Sequence, residues 1–217
     1  LGFGRRYKSE VNLEHPPWSV FCAWSFQKVV EIAKQEQVDA VVHAGDIFDE
    51  SPGEEHVWSF ERGIEELDEA DIQFVFILGN HEVRIPGRGC TNATAKLIQM
   101  ADAGKVNLLS DKAYTLGSGS DTEDETVAIY GVNSSNLGTD DWESGENEWQ
   151  SWNTKLPESF HLKENSATHN ILCYHGAFTE DGNYPPATEF VERFNLSFDK
   201  LLLGHRHDSM DGVEGCE

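Results

Sequence analysis

VDAVVHAGDIFD (residues 38–49) is a nearly continuous apolar run that breaks off at Gly45 and Asp46. A run without polar alternation is what a strand covered on both faces looks like, and burial on both faces marks a parallel sheet. Upstream, Cys22, Phe26, Val29, Val30 and Ala33 recur at helical spacing over residues 18–36. Downstream, Val57, Phe60, Ile64 and Leu67 form one helical face before the apolar run QFVFIL (73–78). Leu97, Met100 and Ala101 belong to a third helix, which Gly104 closes. VAIYGV (127–132), NILCYH (170–175) and KLLLG (200–204) read as later strands, with a short helix near 187–194 between the last two. Helices and strands alternating in this way predict an α/β fold with a mainly parallel sheet and helices on its faces.

The ends of these strands carry the chemistry. HAGDIFD (43–49), LGNHE (78–82), YHGAF (174–178) and LGHRH (203–207) each follow an apolar run and end in groups that bind hard or borderline metals. In open α/β sheets ligands lie beyond the carboxyl ends of the strands, where all of these motifs fall. They supply Asp46, Asp49, Asn80, His81, His175, His205 and His207. A set of oxygen and imidazole donors with no thiolate suits Mn²⁺, Fe or Zn²⁺ in a working site better than a structural zinc. Two ions about 3.5–4 Å apart can hold both the nucleophile and the phosphoryl oxygens of a phosphoester, and they need one bridging ligand. Asp46 is the candidate bridge, because the small Gly45 before it lets the carboxylate rise from the sheet edge. Asn80 offers a neutral carbonyl oxygen, and His81 beside it can direct a charged imidazole at the leaving oxygen. His175, His205 and His207 complete the imidazole set, the i, i+2 pair placing two rings on one side of an extended segment.

At 217 residues the chain fits one domain. Cys22, Cys90, Cys173 and Cys216 lie far apart without a CxxC pair, which fits reduced thiols in the cytoplasm. No apolar stretch approaches the roughly 20 residues that span a bilayer, and no charged-then-apolar leader opens the chain, so a soluble protein is expected. Asp and Glu number 39 against 16 Lys and Arg, a net charge of −23 that repels any polyanion in dilute buffer. Acid spread this evenly, with few lysines, is the pattern of a protein working in concentrated salt, where the Debye length shrinks to about 3 Å and the repulsion fades. It is similar to the pattern in proteins of salt-accumulating haloarchaea. GSGSDTEDET (117–126) reads as an acidic hairpin tip or loop, and residues 133–168 as a long acidic insertion carrying Trp142, Trp149 and Trp152. Its neighbours are acidic instead of basic, which favours an insertion over a platform for stacked bases.

The four motifs resemble those of the calcineurin-like metallophosphoesterases, and most closely the repair-exonuclease branch that includes SbcD-type nucleases and their archaeal relatives. The resemblance runs over almost the whole chain and implies an α/β/β/α sandwich carrying a centre of two divalent metals. It implies Asp46 as the bridge, Asn80, His175 and His205 on one ion, His207 on the other, and His81 acting on the phosphate as acid or electrostatic clamp. LGFGRRY (1–7) and GDIFDESP (45–52) favour the nuclease branch, whereas protein phosphatases carry Arg-Gly where Glu50 and Ser51 stand. Glu82 is the one phosphatase-like feature, nucleases more often having Asp there, and the role of Asp49 stays open. The family's opening Asp-x-His motif would lie just before Leu1. The expectation is therefore a single domain over 1–217, truncated at both ends, without the first strand, with one nearly complete and one poor metal site and with weak or no activity of its own. His43 is expected in the core or behind the ligands, and His15, His56, His161 and His169 on the surface. Arg5, Arg6, Arg84 and Arg88 are candidates for phosphate contacts. The leading functional expectation is an Mn²⁺-dependent DNA repair exo- or endonuclease, with DNA, a second copy of the chain and an ATPase as implied partners. A phosphoesterase for a small substrate such as a cyclic nucleotide, and a non-catalytic scaffold, are the rivals.

Overall fold

A computed structural model of the chain describes residues 18–48, 52–83, 92–109, 112–117, 126–133, 162, 166–176, 187–192, 194 and 196–204. The order is α1 (Trp18–Glu36), β1 (Ala40–His43), α2 (Glu54–Asp68), β2 (Gln73–Phe76), α3 (Asn80–Val83), α4 (Asn92–Asp102), β3 (Asn107–Leu108), β4 (Tyr114–Leu116), β5 (Val127–Val132), β6 (His169–His175), α5 (Ala187–Glu192) and β7 (Lys200–Gly204). The strands form two sheets. One is parallel, in the order β1-β2-β3; the other runs β4-β5-β6-β7, with β4 antiparallel to β5 and the rest parallel.

Alternation along each strand decides which layer each side chain enters. Phe74 and Phe76 of β2 point one way, into a core with Cys22, Phe26 and Val30 of α1, Phe60, Ile64 and Leu67 of α2, and Leu97 of α4. Val75 and the following Ile77 point the other way and meet Ile129 of β5 and Cys173 of β6, which makes the layer between the sheets. Tyr130, Leu172 and Tyr174 point out of the far side of the second sheet onto Phe190 of α5 and onto Phe194. The result is the four-layer α/β/β/α sandwich that the resemblance implied. The pattern of helices and strands alone suggested one sheet with helices on both faces; instead the second sheet covers the inner face of the first.

The two sheets lie close together at Gly131, where a Cβ would run into Leu109 and lie 2.6 Å from Ile77 Cγ2. Asn133, just past β5, bridges the same edge: its Oδ1 accepts from Leu78 N–H at 2.7 Å and its Nδ2 donates to Leu109 O at 2.8 Å. It is the first residue of the expected insertion, whose residues 134–161 and 163–165 lie outside the described ones, as do Trp142, Trp149 and Trp152. The expected hairpin tip likewise falls mostly on residues outside them, but β4 and β5 pair antiparallel on either side of it, Leu116 opposite Val127.

Three helices stop in the same way, with one residue in the left-handed region and the next N–H returning to a carbonyl five residues back. The left-handed residues are Gln37 (φ 54°), Asp71 (φ 59°) and Gly104 (φ 71°). The returning bonds run from Val38 to Ala33, Ile72 to Leu67 and Lys105 to Met100. His56, expected on the surface, is only 6% exposed. Its Nδ1 accepts from Gly53 N–H at 3.0 Å, which fastens the first turn of α2 to the chain entering it.

Candidate metal centre

Asp46, Asn80, His175 and Gly204 are all delivered to one end of the sandwich by the carboxyl ends of β1, β2, β6 and β7, with His175 paired opposite Gly204. The turn after β1 is held on both sides. Ile47 and Phe48 are buried, the Phe48 ring packing on Phe60 with centroids 5.3 Å apart. Fully burying such a ring is worth roughly 1.5–3 kcal/mol. Between that anchor and β1 the backbone turns through two left-handed residues, Gly45 (φ 86°) and Asp46 (φ 55°). Glycine takes that conformation without strain, and Asp is among the few other residues that tolerate it.

The motif glycines are required by one another's neighbours. A Cβ on Gly45 would lie 2.8 Å from Gly79, one on Gly79 2.8 Å from Asp46 Cγ, and one on Gly204 2.8 Å from His175 Nδ1. Each motif therefore fits only because the next one leaves out a side chain. His175, 4% exposed, donates from Nδ1 to the Ala44 carbonyl at 2.6 Å. A carbonyl can only accept, so this bond fixes the proton on Nδ1 and turns Nε2 inward as the atom available to a cation. Nε2 lies 3.0 Å from Asn80 Oδ1 and 3.2 Å from Asp46 Oδ2.

Those separations are a test of fit. Two donors each about 2.1 Å from a common ion stand about 3.0 Å apart when they subtend a right angle. Asp46, Asn80 and His175 could thus hold one divalent ion with little rearrangement. Among the described residues no group of three or more His, Cys, Asp or Glu gathers, since the third donor is the amide of Asn80. Burial opposes charge on His175, but the hydrogen bond and negative charge of Asp46 outweigh it and raise the imidazole above its usual value. Burial likewise works against ionised Asp46, yet His175 and the His81 backbone N–H hold its carboxyl below the ordinary range.

His81 is the second residue of the short helix α3, beside these donors. Its N–H donates to Asp46 Oδ1 at 2.9 Å and its Nε2 lies 3.9 Å from Asp46 Oδ2. Asp49, His205 and His207 lie outside the described residues, as do Arg5, Arg6, Arg84 and Arg88. His43, expected in the core or behind the ligands, stacks near Phe74 with ring centroids 6.2 Å apart. Its Nδ1 is buried without a hydrogen-bond partner among the described residues, and burial pushes the ring down to about 3.

The residue that sequence reasoning undervalued is Glu82, considered only as a mark of one branch over another. It is 3% exposed. Its Oε2 accepts from Asp46 N–H at 2.9 Å and Gly79 N–H at 2.8 Å, and its Oε1 from Phe48 N–H at 2.9 Å. Burial raises its carboxyl above the usual range, and the nearby charge of Asp46 acts in the same direction against the three N–H donors.

A four-layer α/β/β/α sandwich with Asp, Asn and His donors gathered at its strand ends defines the class of metallophosphoesterase folds. The chain belongs within that class to the calcineurin-like phosphoesterase family, whose model matches residues 15–209. The family uses divalent metals. The chain is 30% identical over 214 residues to the DNA double-strand break repair protein Mre11 of Methanosarcina mazei, covering 96% of this chain and 29% of that one. It is 29% identical over 185 residues to the protein of that name from Haloferax volcanii, covering 84% of this chain and 35% of the relative. The Halobacterium salinarum protein of that name is 26% identical over 188 residues, covering 84% and 40%. The chain thus spans well under half the length of these curated relatives. Among the described residues no helix is long and apolar enough to cross a membrane.

Proposed function

We propose that this domain is a metal-dependent phosphodiesterase acting on DNA, an exo- or endonuclease of double-strand break repair. The observation that carries the reading is the convergence of Asp46 Oδ2 and Asn80 Oδ1 on His175 Nε2, at 3.2 and 3.0 Å, in a member of this family. The names of the relatives supply the substrate class. Asp46, Asn80, His175 and His205 would hold one ion, and Asp46 and His207 would contribute to a second, with Mn²⁺ preferred and Fe or Zn²⁺ as alternatives for this donor set. When bound, the ions supply Lewis acidity toward the phosphoryl oxygens and bring the pKa of water near neutrality.

The chain's own residues do the rest. Asp46 carries the negative charge that lets two cations stand close together. His175, its tautomer fixed by Ala44, presents Nε2 with no proton to lose once the site is loaded. Asn80 adds an oxygen without adding charge. His81, oriented through its own N–H on Asp46, is the group placed to give a proton to the leaving oxygen or to balance its charge. DNA is the proposed substrate and partner, working at salt concentrations that screen the −23 charge. The likeness to the repair-exonuclease branch adds a homodimer and an ATPase to the proposed partners, and a cytoplasmic location.

The deciding experiment offers linear DNA and a cyclic nucleotide to the protein in molar KCl, with Mn²⁺ or with chelator. Release of nucleotides from DNA only with Mn²⁺ is the expected result. Hydrolysis of the cyclic nucleotide with DNA left intact would favour a small-ester enzyme, and Mn²⁺ binding without any hydrolysis would favour a scaffold.

A further inference from the structure

The Asp46 turn and the Asn80 turn follow different strands; among the described residues the backbone pairing of β1 and β2 ends with the bond from Ile77 N–H to His43 O at 3.2 Å. Past those residues something else must fix how the two turns sit relative to each other. One link is the bond from His81 N–H to Asp46 Oδ1; the Glu82 carboxylate adds three more, with one oxygen shared between Asp46 N–H and Gly79 N–H and the other on Phe48 N–H. Asp46 and Phe48 are alternate residues of a turn that passes through left-handed Gly45 and Asp46. Successive N–H groups in such a turn form a concave site for an anion. Here the anion is a side chain from the neighbouring motif. The carboxylate is held in turn by its own backbone, because Thr94 Oγ1 of α4 donates to the Glu82 carbonyl at 3.0 Å.

We propose that Glu82 is a positioning residue for the metal centre, tying the two turns together so that Asp46 and Asn80 keep the separation that one ion requires. This rests on the reading that Asp46, Asn80 and His175 hold a metal, and goes beyond it in naming what sets their spacing. Both Glu82 oxygens are engaged by backbone N–H groups, three bonds in all, which assigns the carboxylate to the turns. Substitution therefore acts on the ion only through the two turns. Glu82→Gln separates that role from mere bulk. The amide oxygen can still accept from Asp46 and Gly79, but its NH₂ group then faces Phe48 N–H, donor against donor, and the turn must shift.

The test titrates Mn²⁺ into the wild-type protein and Glu82→Gln, with binding followed by calorimetry and by the spin-resonance signal of free Mn²⁺. Folding is followed separately, by circular dichroism and by melting without metal. We expect Glu82→Gln to stay folded and to bind Mn²⁺ about 10–100-fold more weakly, the usual range for losing a group that orients a ligand. A melting temperature that falls while the Mn²⁺ affinity of the folded variant stays within twofold of wild type would overturn the proposal, leaving Glu82 a structural residue only. Should Glu82→Gln not fold, Glu82→Asp carries the test. Its carboxylate is one methylene shorter and cannot reach Gly79 and Phe48 at once, so affinity is expected to fall at least threefold, and unchanged affinity overturns the proposal. Wild-type protein that binds no Mn²⁺ would instead remove the metal centre, and this inference with it.

Discussion

Gly79 lies so close against Asp46 that a methyl group on it would come within 2.8 Å of the Asp46 Cγ. The Asp46 Oδ1 and backbone nitrogen lie nearer still, so relief must come from rotating the donor away or moving the backbone of one turn. Gly79→Ala is expected to cost about 1–3 kcal/mol of stability, the range for inserting one methyl into a packed site. It is also expected to weaken Mn²⁺ binding more than tenfold. Melting curves with and without Mn²⁺ check both, and a variant whose melting temperature still rises with Mn²⁺ as much as wild type would show that the contact is easily relieved.

Metal uptake should release a proton near neutral pH. Asp46 raises the His175 imidazole above its ordinary 6.5 in the metal-free site, so an arriving cation displaces a proton from Nε2. Affinity should climb with pH, by up to about tenfold per unit, until that raised pKa is passed. The sign for stability is opposite. A group whose folded pKa is raised stabilises the metal-free fold fully below pH 6.5 and ceases to do so as pH rises through the folded value. Calorimetry of Mn²⁺ binding in two buffers of different ionisation heat reports the proton count, and a count of zero at pH 6.5 or below would contradict this account.

For His81→Ala, metal content should stay near wild type while turnover of DNA falls by roughly 10²–10⁴, the span for a lost general acid. The imidazole touches the site only at 3.9 Å from Asp46 Oδ2, whereas its backbone bond to Oδ1 survives the substitution. Loss of bound metal in this variant would make His81 a ligand instead.

Salt should stabilise the domain. With 39 acidic against 16 basic residues, self-repulsion is strong in dilute buffer and almost absent at about 1 M, where the Debye length is near 3 Å. The melting temperature should rise from dilute to molar KCl. A flat or falling curve would mean that the acidic surface serves some purpose other than life in brine.

The long elements could be read from the chain because their periods repeat often enough to be unmistakable. Helix α1 has the bounds its spacing suggested, and the Gly104 stop lies where expected. The two-sheet division was hidden because β3 and β4 are two and three residues long, too short to establish any period. Asp46, Asn80 and His175 were legible as strand-end residues of types that bind metals. Glu82 was not, because its partners Asp46 and Phe48 are 36 and 34 residues away, and nothing local distinguishes a clasp from a solvated acid. His56 misled for a similar reason, its one bond being to a backbone N–H that no pattern of side chains advertises.

Asp46 and Asn80 ride on the first sheet and His175 on the second, with a thin apolar layer of Val75, Ile77, Ile129 and Cys173 between the two. The donor triangle is therefore a gauge of interlayer spacing. Sliding or prising apart the sheets by a fraction of an ångström would detune the grip on an ion without disturbing any donor's own strand. A bulkier residue at Gly131, where the layers nearly touch, would be felt at the chemistry although it meets none of the groups that perform it. An ion held by this triangle would work in reverse, adding a bolt between two halves of the domain otherwise joined by apolar contacts and by the few bonds of Asn133 and His175.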